Sequence, residues 1–198
     1  HSTGESNIKR LIRQGKVDGL LLIQPGFAPD DFAAVEESGL PYILLHFLPE
    51  GMPLEGINYV YADHVYGGYL AIRHLIQLGS RLILCITERE RQFRERTEGY
   101  RKAHAEAGLP VYEHLIRSCD ASFDEGYRTV RMCEERLGEI DGIFAQSDIA
   151  ALGALEALGE LRIDVPGQIA VVGYDDIRMS GIVRPRLTTV HQPHREIV

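Results

Sequence analysis

The chain has 198 residues, enough for one to two domains with a sizeable core, and its 44% hydrophobic and 25% charged content is that of an ordinary soluble fold. No apolar run reaches the roughly 18 residues that a membrane helix needs. The formal charge of −8, from 21 basic and 29 acidic residues, argues against nucleic-acid binding by this piece, because phosphate contacts need a clustered positive face.

In chain order, Ile8, Leu11 and Ile12 have helical spacing, and Gly15 supplies the stop. A strand is expected over 17–23, a short helix over 31–38 closed by Gly39, and a strand over 42–45. A Pro/Gly-rich link over 49–56 leads to a strand over 57–62. Asp63 reads as the N-cap of a helix that buries Val65, Tyr69, Ile72 and Ile76 and ends at Gly79. A strand over 82–86, a helix over 97–107 ended by Gly108, and a strand over 114–118 come next. Asp124 caps the next helix, with Tyr127, Val130 and Leu137 inward, before a strand over 143–145. Ser147 or Asp148 caps a helix with Ile149, Leu152, Leu155 and Leu158 inward. Pro166-Gly167 turns into a strand over 169–173, and a last strand spans 187–190. Strands alternating with helices throughout predict an α/β fold with doubly wound parallel sheets.

Each apolar run stops abruptly at a polar residue. These stops are Gln24, His46, Asp63, Thr87, the Gln146-Ser147-Asp148 step and Asp175-Asp176. Buried parallel strands read this way, and in such sheets the ligand sits outside the carboxyl ends of the strands. A small-molecule pocket is therefore the first functional expectation.

Within that frame a few residues stand out. The mixed-charge run 88–98 reads as a solvated segment with intrahelical ion pairs, except for Arg96, which follows a strand end and offers a rigid fork of donors to a polar ligand. Gly99 inside a helix costs about 1 kcal/mol relative to Ala, so it is expected to permit a close packing contact. Asp175 and Asp176 either cap the following helix or accept hydrogen bonds from ligand hydroxyls or amines. At Ser147-Asp148, capping explains one residue and leaves the other to face a pocket. Cys85, Cys119 and Cys133 lack C-x-x-C spacing and read as buried free thiols in a reducing cytoplasm. His191-Gln192-Pro193-His194 is a poor metal pair because Pro193 interrupts a regular helix. Nothing supports a nucleotide cofactor or an activated nucleophile: no Walker loop, G-x-G-x-x-G, G-x-S-x-G or H-E-x-x-H occurs, and Gly67-Gly68 lies within a helix.

Several stretches, taken together and in order, resemble the effector-binding core of the lactose-repressor/galactose-repressor family. They are Val17-Asp18-Gly19-Leu20-Leu21-Leu22, Leu40-Pro41-Tyr42-Ile43, Asp63 with the helix to Leu78-Gly79, and Arg96-Thr97-Glu98-Gly99-Tyr100. Further on come Ser147-Asp148-Ile149-Ala150-Ala151-Leu152-Gly153, the stretch from Val165-Pro166-Gly167 to Tyr174-Asp175-Asp176, and Arg184-Pro185-Arg186-Leu187-Thr188-Thr189-Val190. The resemblance implies a periplasmic-binding-protein-like fold of two doubly wound parallel-sheet subdomains with a ligand cleft between them. The first would hold residues 1–79 with 191–198, and the second residues 80–190. It places Arg96, Asp175 and Ser147 at the effector, with Asp63 and Gln24 at strand ends and Phe27, Phe47 or Phe123 as apolar walls. Ser147 stands where relatives usually carry Asn and has the shorter reach. His64 replaces a common Asn, His46-Phe47 replaces a more usual polar pair, and Ala121 aligns with a common aromatic. The resemblance further implies a cytoplasmic, dimeric transcriptional regulator, probing operator DNA through an N-terminal helix-turn-helix absent from this chain. The dimer surface would include the helices around 127–137 and 149–158, whose apolar residues could equally be core. The lack of an initial Met, of a helix-turn-helix and of the first β-α-β stretch leads to the expectation of a fragment. An extracytoplasmic sugar-binding protein of a transporter is the alternative, and an enzyme using Asp175 or Asp176 as acid/base is a third class lacking a second catalytic group.

Overall fold

A computed structural model describes residues 6–23, 28–46, 48 and 55–197. The elements are α1 (Asn7–Gln14), β1 (Leu20–Leu22), α2 (Pro29–Ser38), β2 (Tyr42–Leu45), β3 (Tyr59–Val60), α3 (His64–Gln77), β4 (Ile83–Thr87) and α4 (Arg91–Glu106). They continue with β5 (Ile116–Ser118), α5 (Phe123–Met132), β6 (Gly142–Ala145), α6 (Asp148–Glu160), β7 (Ala170–Asp175), β8 (Thr188–His191) and α7 (His194–Ile197).

Backbone contacts divide the chain into two compact units. The first contains the described residues up to Ala62 and those from Pro193 onward. Its sheet has the order β1-β2-β3, all parallel. Phe32 and Val35 of α2 pack on Leu22 and Leu44 to make its core. α1 is fastened at its start by Ser6, whose hydroxyl accepts from Lys9 N–H and donates to Asp31 of α2 at 2.6 Å.

The second unit runs from Asp63 to Gln192. Its sheet is wholly parallel, in the order β5-β4-β6-β7-β8. Alternate side chains leave a strand on opposite faces, and this sheet buries both. Leu84, Ile86, Ile143, Ala145 and Val171 join one core cluster with Val130 of α5 and Ala154 and Leu158 of α6. Ile83, Cys85, Phe144, Ala170 and Val172 join the other, with Ile72 and Leu75 of α3 and Tyr100 of α4. The near-continuous apolar runs of the sequence result from this two-sided burial.

On each face the two helices approach so closely that only glycine fits. A Cβ on Gly99 of α4 would lie 2.1 Å from the Val65 carbonyl oxygen, and one on Gly68 of α3 would lie 2.1 Å from that of Arg96. Across the sheet, Gly126 and Gly153 play the same part between α5 and α6. The contact expected of Gly99 is therefore present. α3 packs along α4, so the compact units divide before α3 at Asp63, rather than at the Gly79–Ser80 boundary expected from sequence.

Other differences are local. α4 begins at Arg91, six residues before the expected start, because the charged run is itself helical. It carries an intrahelical ion pair of the expected kind, Arg91–Glu95, while Gln92, Phe93 and Arg96 turn inward. Ser122, not Asp124, caps α5 by accepting from Glu125 N–H, and Leu137 lies beyond that helix. Cys85 is buried, its thiol pushed up to about 12 by desolvation, whereas Cys119 and Cys133 are only partly covered. No helix among the described residues is long and apolar enough to cross a membrane.

Gly99→Ala is expected to lower stability by about 1–3 kcal/mol, although Ala is the better helix former by about 1 kcal/mol. A urea midpoint equal to or above that of the wild type would contradict the close α3–α4 contact.

Candidate functional site

The carboxyl ends of the second unit's strands carry Thr87, Gln146, Asp175 and His191 in adjacent positions. Arg96 reaches them from α4. It is only 3% exposed, so its charge must be met by protein groups. Nη1 donates to the Gln146 carbonyl, Nε donates to His64 Nδ1 at 3.2 Å, and Nη2 lies 3.9 Å from Asp175 Oδ1. The guanidinium carbon sits 3.7 Å from the centre of the Tyr174 ring and 4.9 Å from that of Phe93. Delocalised charge over an aromatic face is favourable where water is excluded.

His64 links this arginine to Tyr174, whose hydroxyl is 3.0 Å from the same Nδ1. A guanidinium can only donate, so Nδ1 is the unprotonated nitrogen and the ring is held as the Nε2–H tautomer. Tyr174 reaches this position because Gly67 leaves room: a Cβ there would lie 2.2 Å from the tyrosine oxygen. Desolvation raises the Tyr174 hydroxyl pKa against the opposing pull of Arg96. Gly67 and Gly68 thus serve close approach by Tyr174 and by the Arg96 backbone.

Asp175 and Asp176 have φ values of 118° and 56°, in the left-handed region that non-glycine residues rarely occupy. Neither caps the next element: the 3₁₀ turn Arg178–Gly181 starts from Ile177 without a side-chain cap. The capping reading is therefore excluded. Asp175 instead accepts from Gln192 Nε2 at 2.6 Å and faces Arg96, while Asp176 pairs with His191 at 2.8 Å. Desolvation raises the Asp175 pKa, opposed by the charge of Arg96 and the Gln192 hydrogen bond. Strained backbone and a desolvated carboxylate meet at one residue, as functional sites commonly require.

Ser147 is the N-cap of α6, accepting from Ala150 N–H, which leaves its O–H as a donor. Asp148 does not face a pocket. It is fully buried and accepts from Ile177 N–H, Ser180 Oγ and Thr189 Oγ1 at 2.6–2.8 Å. It braces the segment after β7 against β8. Gln146, also fully buried, accepts from Thr87 Oγ1 and donates to Thr97 Oγ1, each at 2.8 Å.

Of the residues expected from sequence, the structure joins Arg96 directly to Asp175 and, through the Gln146 carbonyl, to the step that holds Ser147. Asp63 is exposed and caps α3 by accepting from Tyr66 N–H. Phe123 opens α5 at 42% exposure, and no hydrogen bond, ion pair or ring contact among the described residues links it to Arg96 or Asp175. Gln24, Phe27 and Phe47 lie outside the described residues. His64, Gln146, Tyr174 and Gln192 are the additions. Gln146 was visible as a strand-end residue and His64 as a departure from the family pattern; the other two carried no signal of their own. Among the described residues, no group of three or more His, Cys, Asp or Glu is placed to hold a metal ion.

The model of the periplasmic binding protein-like domain matches residues 72–198, more than half of the chain. The chain belongs to this family. The HTH-type transcriptional regulator CelR of Thermobifida fusca is 35% identical over 179 residues, covering 89% of this chain and 52% of its own. A solved complex of a transcriptional regulator CelR with cellobiose superposes with a TM-score of 0.87 at 33% identity, over 96% of this chain and 59% of that one. A LacI-family regulator of Enterococcus faecium with bound ribose gives 0.80 at 27% identity, over 96% and 70%. The resemblance to the lactose-repressor family is thus found across the chain, which spans about half the length of the curated relatives it matches.

Asp148→Ala leaves three donors without their acceptor, and a loss of about 3 kcal/mol or more is expected in chemical denaturation. Asp175 makes the opposite kind of contribution. Its folded-state pKa lies above the ordinary 3.8, so the folded protein takes up this proton first as pH falls. The unfavourable contribution is present at neutral pH and is relieved on acidification through the raised value. The stability of the wild type minus that of Asp175→Asn should therefore rise as pH is lowered from neutrality. A difference that stays flat or falls would contradict the desolvated carboxylate.

Proposed function

We propose that this chain is the effector-binding part of a ligand-responsive transcriptional regulator, with a small polar effector, a sugar, bound at the carboxyl ends of the second unit's strands. The observation that carries the reading is the Arg96–Asp175 pair: a fixed fork of donors beside a carboxylate acceptor. Each sugar hydroxyl both donates and accepts, so a donor and an acceptor held side by side suit a pair of neighbouring hydroxyls. Asp63 and Ser147 are the further polar contacts in this reading, and Phe123, with Gln24 and Phe47 outside the described residues, completes the set taken from the sequence. The solved relatives bound to cellobiose and to ribose support a sugar over other polar ligands. Catalysis is no part of the proposal, since the matched relatives are regulators.

In the intact protein a DNA-binding head would read the operator, and two copies would pair through α5 and α6, where Ile149 is 43% exposed. A cytoplasmic location is part of the proposal. Effector and operator affinities would be coupled reciprocally, commonly by about 1–3 kcal/mol.

A thermal-shift screen of cellobiose, ribose, other sugars, nucleosides and purines tests the reading. A ligand at 100 times its dissociation constant should stabilise by about 2.7 kcal/mol. A sugar is expected to raise the melting temperature of the wild type but not of Asp175→Asn or Arg96→Lys. A purine hit would replace the effector class. No response to any ligand, or an undiminished response in both variants, would overturn the site.

A further inference from the structure

The opposite end of the second unit's sheet holds a second concavity. Its lining comes from the segments leading into β4 and β6, from β5 and the turn before it, and from the end of α5. It measures about 250 Å³. That is just under the roughly 300–1,000 Å³ of drug-sized ligand sites, so it suits a body of one ring. Buried Leu115 and Ile140 contribute apolar surface to it, while Met132, 85% exposed, and Tyr112, 40% exposed, flank it from solvent. Exposed apolar surface around a hollow is costly in water, and covering it is favourable.

The polar groups here have a net positive balance. The chain as a whole is acidic, yet this lining carries Arg117 and Arg136 against a single carboxylate, Glu139. Arg136 is already oriented, donating to Glu139 at 2.9 Å and to His114 Nε2 at 3.2 Å. Arg117 has no hydrogen bond or ion pair from its guanidinium among the described residues. It projects from the edge strand with five donors unmet by protein. A neutral ligand covering this lining would strip water from Arg117 without replacing it, whereas an anion would pair with it.

We propose that this hollow is a second small-molecule site, distinct from the strand-end site, for an organic anion with a compact apolar body: a carboxylate or sulfonate on Arg117 and a single ring or short aliphatic group over Leu115 and Ile140. The site does not depend on the effector reading, because among the described residues no hydrogen bond or ion pair joins its lining to Arg96 or Asp175. It gives the second unit two ligand positions at opposite ends of one sheet.

The test is a titration of the ¹⁵N-labelled protein with 4-phenylbutyrate up to about 10 mM, a range that detects even weak binding. Saturable amide shifts are expected around Leu115, Arg117, Met132 and Ile140, with little change around Arg96 and Asp175. Arg117→Glu and Arg117→Gln should each weaken binding at least tenfold, and the uncharged 4-phenyl-1-butanol should bind the wild type at least tenfold less tightly. Both variants alter an exposed side chain, and their amide spectra report whether the fold is kept. Absence of saturable shifts, shifts confined to the strand-end site, or equal binding of the alcohol and of the variants would each overturn the proposal.

Discussion

A guanidinium buried to 3% exposure has to be met on every side, and meeting Arg96 ties together four parts of the second unit. α3 supplies His64, the end of β6 supplies the Gln146 carbonyl, and β7 supplies the Tyr174 ring and the Asp175 carboxylate, all facing a residue carried by α4. A buried ion pair is weak evidence of stability, because desolvation of both charges offsets their attraction. Arg96 and Asp175 lie 3.9 Å apart, longer than a good charge-assisted hydrogen bond, and the carboxylate remains partly exposed. Neutral acceptors and an aromatic face thus hold part of the charge, and the carboxylate sits at the edge of the network.

The surrounding network keeps this arrangement rigid. Gln146 commits its side chain to Thr87 and Thr97, which fixes the carbonyl that Arg96 uses. Asp148 fixes the backbone after β7 from the other side, taking donors from three positions that are 29 to 41 residues away in sequence. Asp175 sits between these two anchored segments in a left-handed conformation that its own preferences disfavour. The strain and the desolvated charge are sustained by packing elsewhere, the usual division of labour between a site and its scaffold.

The two glycine-mediated helix contacts play a part in this. Gly68 brings α3 against the Arg96 backbone, and Gly67 opens the space that Tyr174 fills. Helix packing and site geometry are consequently one problem on this face of the sheet. On the other face Gly126 and Gly153 bring α5 and α6 equally close.

Much of this was legible in the sequence. Apolar runs broken by polar residues located the strands and their polar carboxyl ends, because a strand buried on both faces must be apolar throughout and can change character only where it leaves the sheet. The ordered motifs singled out Arg96 and Asp175, and an interior glycine announced a close packing contact whose partner, α3, only the structure supplies. What the sequence left open was decided by residues distant in the chain. Asp148 and Ser147 are neighbours with equal claims to the cap, and only Thr189, Ser180 and Ile177 make Asp148 a brace. The family resemblance puts α3 in the first subdomain, whereas its packing on α4 places it in the second unit. The charged run before Arg96 reads as surface, yet its helix turns one face to the core. Local pattern fixes which residues are buried or form strands; which partner a buried polar group finds depends on how the sheet brings the ends of separate strands together, and that is a property of the tertiary structure alone.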